Sequence, residues 1–168
     1  MAASPRLHFV LSQQLIPALI NALINGWIAW AMHSDEAAVP LWGHGGYATD
    51  LIATGVLLPG ITWLILWPLL RRQAATGKAP TTDGVPSPWL SRLFPGTLWG
   101  GAAMAGALGG AVGVLAVAVL HVGGAPAMPG RGYALFKGLY GGLLPVLLQP
   151  SMVWAILHRG GALRLRSG

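Results

Sequence analysis

Apolar residues gather into four long runs, near Val10 to Met32, Leu51 to Leu70, Leu98 to Leu120 and Tyr133 to Leu157. Each reaches or exceeds the ~20 residues that a helix needs to cross ~30 Å of hydrocarbon. A bilayer offers the backbone no hydrogen-bond partners, so runs this long are predicted to be helices and not the shorter alternating strands of a barrel. The predicted fold class is all-α, a polytopic membrane protein with four transmembrane helices. Little chain remains for a separate soluble domain.

The runs repeat in pairs. Gly46-Tyr47-Ala48 returns 86 positions later as Gly132-Tyr133-Ala134, and Gly55-Val56-Leu57-Leu58-Pro59 returns in the same register as Gly141-Gly142-Leu143-Leu144-Pro145. One residue inserted after the proline brings Trp67 onto Trp154 and Arg72 onto Arg159. Residues 1–73 therefore read as a first transmembrane hairpin and 92–160 as a second, with a basic tail over 161–168. The stretch 74–91 between them is a linker rich in Pro, Gly, Ser and Thr, where Pro80, Gly84, Pro86 and Pro88 block regular structure. Two helices per unit start both units on the same side of the membrane. The predicted arrangement is a parallel tandem repeat, related by an axis along the membrane normal.

Composition sharpens the membrane reading. Charged residues make up 8% of the chain and hydrophobic ones 54%, against roughly 25% charged in soluble domains. Arg6, Arg71, Arg72, Lys78, Arg92, Arg159, Arg164 and Arg166 fall on one predicted side, and only Arg131 and Lys137 on the other. That asymmetry predicts cytoplasmic termini in a plasma (bacterial inner) membrane. It also accounts for the net charge of +6 by topology and anionic lipid heads, leaving no nucleic-acid surface. Arg6, the first apolar run and Ala29-Trp30-Ala31 imitate a cleavable signal, but Gln13, Gln14, Asn21 and Asn25 interrupt the run, which is read as a retained span. The chain has no cysteine, which excludes disulfides and thiolate chemistry.

Polar residues inside apolar spans are the candidate chemistry. Gln14, Asn21 and Asn25 share one face of the first span, which is expected to turn toward the protein interior or a polar cavity. Thr54, Thr62 and Gln149 extend this candidate intramembrane polar site to the second and fourth spans. Pro59 and Pro145 each remove a backbone donor in mid-span, so both helices are expected to kink there and leave carbonyls available. Asp50 and Lys137 lie near the outer ends of the two repeat-equivalent spans, where they can pair; Asp50 can instead cap its helix and Lys137 can snorkel to the headgroups. Gly101, Ala105, Gly109 and Gly113 form a small-residue ladder on the third span, a close-packing face. Contact within the chain is expected there, because neighbours joined by short loops usually pack together. The tryptophans are read mainly as interface anchors. His33, His44, Asp35, Glu36 and His121 share no metal-site spacing, so no metal and no cofactor are expected. No motif for a hydrolase, a phosphate loop or a paired-carboxylate enzyme occurs, so an enzyme is not expected.

Ala22-Leu23-Ile24-Asn25-Gly26-Trp27-Ile28-Ala29-Trp30, Val39-Pro40-Leu41-Trp42-Gly43 and Leu57-Leu58-Pro59-Gly60-Ile61-Thr62 carry a resemblance. Together they are similar to small bacterial four-span integral membrane proteins of unknown function. The resemblance covers the first repeat, fades in the third span, and implies a topology without an activity. Two functions stay open. One is a small transporter or channel-like protein with a polar path at the repeat interface. The other is a non-catalytic accessory or assembly subunit, whose ladder docks a second copy or a larger membrane partner.

Overall fold

A computed structural model describes residues 5–79, 89–125 and 127–164, with side chains between 14 and 158. The linker prolines Pro80, Pro86 and Pro88, with Gly84, lie outside the described residues, as do Arg166 and the side chains of Arg6, Arg159 and Arg164. The chain is all-helical, with α1 Pro5–His33, α2 Tyr47–Ala75, α3 Leu98–Val122 and α4 Gly130–Arg164. All four are long and apolar enough to cross a membrane, the make-up of a multi-pass membrane protein. A short 3-10 turn, Trp89–Leu93, precedes α3. Helix α4 continues four residues past the expected boundary at 160, into the basic tail.

Local chemistry sets several of the ends. The Thr97 hydroxyl accepts from the Gly100 amide at 3.1 Å, capping α3. Gly77 and Gly124 take up positive φ just past the ends of α2 and α3, a turn that side chains disfavour. Pro17, Pro59, Pro68, Pro145 and Pro150 all sit inside helices that continue through them.

Across the bundle the helices lie in the order α1, α4, α2, α3. Helix α1 packs on α4 and α3 packs on α2, while α2 and α4 meet at the centre; neither hairpin closes on itself. The ladder of α3 thus makes its contact within the chain, as expected, but on α2 and not on its short-loop neighbour α4. The connections explain it: β1 (Val39–Pro40) and β2 (Ala127–Met128) form an antiparallel ribbon pairing Val39 with Met128 and Pro40 with Ala127. The ribbon ties the α1–α2 connection to the α3–α4 connection at one end of the bundle.

Shape complementarity completes the choice of partner. Pro59 has no amide hydrogen to give the carbonyl of Gly55, one turn earlier. That carbonyl points at the Cα of Gly109, and a Cβ on Gly55 would come within 2.5 Å of Gly109 O. Two backbones this close gain dispersion and Cα–H···O contacts that lipid cannot supply. Gly106 and Gly110 seat Val56, and Gly101 seats Trp63. The ladder is thus buried on α2.

Trp63 is fully buried, stacked on Phe94 with ring centroids 4.9 Å apart and on Trp67 at 5.5 Å. It is a core residue and not an anchor. Trp27, Trp30, Trp42, Trp89 and Trp99 are exposed.

Candidate functional site

Helices α2 and α4 both leave the ribbon end and run side by side, so their polar residues can meet at matching depths. Lys137, buried on α4, contacts Asp50 Oδ2 in the first turn of α2. The same oxygen accepts from the Tyr133 hydroxyl. An ammonium withdrawn from water needs a carboxylate beside it, and Asp50 supplies one while keeping 44% of its own side chain exposed.

The chain has three tyrosines, and all of them converge here. Tyr47 and Tyr133, the repeated Gly-Tyr-Ala tyrosines, face each other with ring centroids 5.3 Å apart. Tyr47 donates to Ala125 O at 2.6 Å, which ties α2 to the end of α3. Tyr140, two turns deeper than Tyr133, donates to Leu51 O at 3.1 Å and reaches toward Gly55 and Gly113. His33 meets the edge of the Tyr133 ring at 5.5 Å and bonds Glu36 at 2.9 Å. A polar chain therefore leads from the surface to buried Lys137.

Twelve residues further along both helices stand Thr62 and Gln149, about 18 Å deeper at 1.5 Å per residue. They line a gap with Leu58, Pro59, Leu144, Pro145, Leu148 and Met152. Its volume is about 10 Å³, room for roughly one water. Thr62 donates to Leu58 O at 2.7 Å, so its hydroxyl is committed to its own helix. Gln149 is fully buried. Both prolines border the gap, one from each helix.

Other candidate residues stand elsewhere. Asn25 donates to Asn21 O at 2.9 Å and packs against Gly141, the residue whose carbonyl Pro145 deprives of its donor. Asn21 and Asn25 are half-buried, and this part of the amide face turns toward α4. Gln14 is buried, and its Nε2 has no hydrogen-bond partner among the described residues. Thr54 is half-buried on α2 and does not line the gap. Gly101, Ala105, Gly109 and Gly113 are all buried, on the far side of α2 from α4 or around Tyr140. The histidines are dispersed: His33 is on Glu36, and His121 is 3.4 Å from Trp42 Nε1. Among the described residues no three of His, Asp and Glu gather as a metal site.

The tyrosines were the residues that polarity and charge did not single out. Tyr47 and Tyr133 carried a signal nonetheless, as the centre of a tripeptide present in both halves. Tyr140 carried none. No protein-family model, curated protein or solved structure matches this chain.

Proposed function

We propose that this chain is a small membrane transporter whose path follows the seam of α2 and α4 and is closed in this conformation. The observation that carries the reading is the buried Lys137, paired with Asp50 at the ribbon end and in register with Thr62 and Gln149 below it. Ionisable groups in apolar spans are costly, and function is the usual reason for keeping them. The Asp50 and Lys137 pair acts as the outer gate. The one-water gap between the prolines is the point where the path widens when the gate opens.

A parallel tandem repeat underlies the seam. Three features support it: each half lends its first helix to the other half's second, the repeated tyrosines face each other, and the repeated prolines border one gap. The axis relating the halves then runs through the path. The charge asymmetry supports cytoplasmic termini with the ribbon outside, and the resemblance to small bacterial four-span proteins supports an inner membrane.

A second reading, an accessory subunit, has one observation in its favour. Leu15, Ile16, Leu19, Ile20, Leu23 and Ile24 are all exposed on α1, a flank wide enough to lean on a larger membrane partner.

The test uses a chain that is naturally free of cysteine. Thr62→Cys and Gln149→Cys are reconstituted in vesicles and exposed to a small charged thiol reagent, with and without Asp50→Asn. The transporter reading expects slow labelling that accelerates at least tenfold when the gate is broken. Full protection in both backgrounds, with a larger protein co-purifying through α1, would establish the accessory role.

A further inference from the structure

A second feature of the molecule lies on its lipid-facing side, away from the seam. Where α1 crosses α4, Gly26 and Gly138 bring the two backbones together, a Cβ on Gly26 falling 3.4 Å from the Gly138 Cα. Beside this crossing runs an open groove of about 500 Å³, and the helices meet again at the ribbon end, where Gly130 lies against the His33 carbonyl. Leu23, Trp27 and Trp30 form one wall, and Leu135 and Leu139 the other. Arg131 stands at the mouth. From Arg131 to Leu139 the groove follows α4 for eight residues, about 12 Å, which fits within one ~15 Å leaflet.

The charge at the mouth is uncompensated. Arg131 has no ion-pair partner among the described residues, and α4 has no acidic residue in its first turn. Of the acids at this end, Asp50 pairs with Lys137, Glu36 bonds His33, and Asp35 accepts from Ser34 at 3.5 Å; none of them bonds Arg131. A guanidinium with free donors at headgroup depth suits a phosphate, which it can hold through two parallel hydrogen bonds. Below it the lining is apolar.

We infer that this groove binds one anionic phospholipid, with its phosphate on Arg131 and an acyl chain lying over Gly26 and Gly138, between the tryptophan wall of α1 and the leucine wall of α4. A lipid fits better than a helix from a second copy. Asp50 is the one acid within the four helices and is held by Lys137, so a helix from a second copy brings no anion to Arg131, whereas a lipid phosphate does. The exposed indoles of Trp27 and Trp30 complete the site at the interface, where such rings favour the headgroup boundary.

Native mass spectrometry of the full chain, released from micelles holding equal phosphatidylglycerol and phosphatidylcholine of the same acyl chains, tests this. The expected result is one retained lipid, with phosphatidylglycerol favoured about fivefold, the effect of one basic residue near an anionic surface. Arg131→Gln should bring that ratio near one, and Leu139→Trp, which fills the groove, should reduce retention of both lipids. Both positions are exposed, so circular dichroism should show unchanged helix content. Soluble glycerol phosphate at the same concentration should leave no adduct. Equal retention of the two lipids by the unaltered chain, a preference that survives Arg131→Gln, an adduct of glycerol phosphate alone, or a lipid-free dimer would each overturn the assignment.

Discussion

The two lateral helix contacts, α3 on α2 and α1 on α4, answer the same problem with different residues. In each, a mid-helix proline deprives a carbonyl one turn earlier of its donor, Gly55 under Pro59 and Gly141 under Pro145. Helix α3 covers Gly55 with Gly109, backbone against backbone. Helix α1 covers Gly141 with the side chain of Asn25 and makes its close backbone approach elsewhere, at Gly26 and Gly138. The glycine solution leaves no slack. The amide solution leaves an exposed α1 and an open groove beside it.

The sharpest break in this comparison is one substitution made on both sides. Gly55→Ala places a methyl 2.5 Å from Gly109 O, which only a backbone shift relieves. We expect a loss of about 3 kcal/mol, at the upper end of overpacking costs, measured by unfolding in mixed micelles of mild detergent and dodecyl sulfate. Gly26→Ala meets neighbours at an ordinary 3.4 Å. It should change stability by less than about 0.5 kcal/mol, with better helix propensity offsetting slight crowding. Equal effects at the two sites would remove the distinction.

The central seam offers an asymmetric prediction. Asp50→Asn strands a buried ammonium and should cost about 3 kcal/mol, the low end for a broken buried pair because Asp50 is half-exposed. Lys137→Met strands only a carboxylate that water can reach, and should cost about 1 kcal/mol in the same titration. A reversed order would mean that Lys137 is not withdrawn from water.

An effect smaller than that of Gly55→Ala is expected on the amide side. Asn25→Leu removes a local hydrogen bond and a contact with Gly141. The loss should be about 0.6 to 2 kcal/mol, the range for polar contacts between membrane helices. A cost as large as that of Gly55→Ala would show that the amide is as exacting as the glycine.

Much of this fold is visible in the sequence, but unevenly. The four spans are legible because lipid demands length and apolarity, which composition reports directly. Helix pairing is less so. Lipid tails are as apolar as leucine, so no hydrophobic face distinguishes the partner of α3, and the choice rests on Gly109 fitting Gly55 and Gly101 fitting Trp63. Those fits need coordinates. Asp50 and Lys137 can be picked from the sequence because charges are rare in apolar spans and the repeat sets them at similar depths. Tyr140 cannot, since a lone aromatic on an apolar helix carries no mark of what its hydroxyl will bond.

The most direct test of the seam as a gated path is charge exchange. With Thr62→Cys as the reporter in vesicles, Asp50→Lys and Lys137→Asp should each raise the rate of thiol labelling, since each sets like charges against each other at the gate. The double exchange restores an opposite pair and should return labelling close to the original rate. Additive acceleration in the double variant, or a reporter that stays protected in all three, would contradict the account.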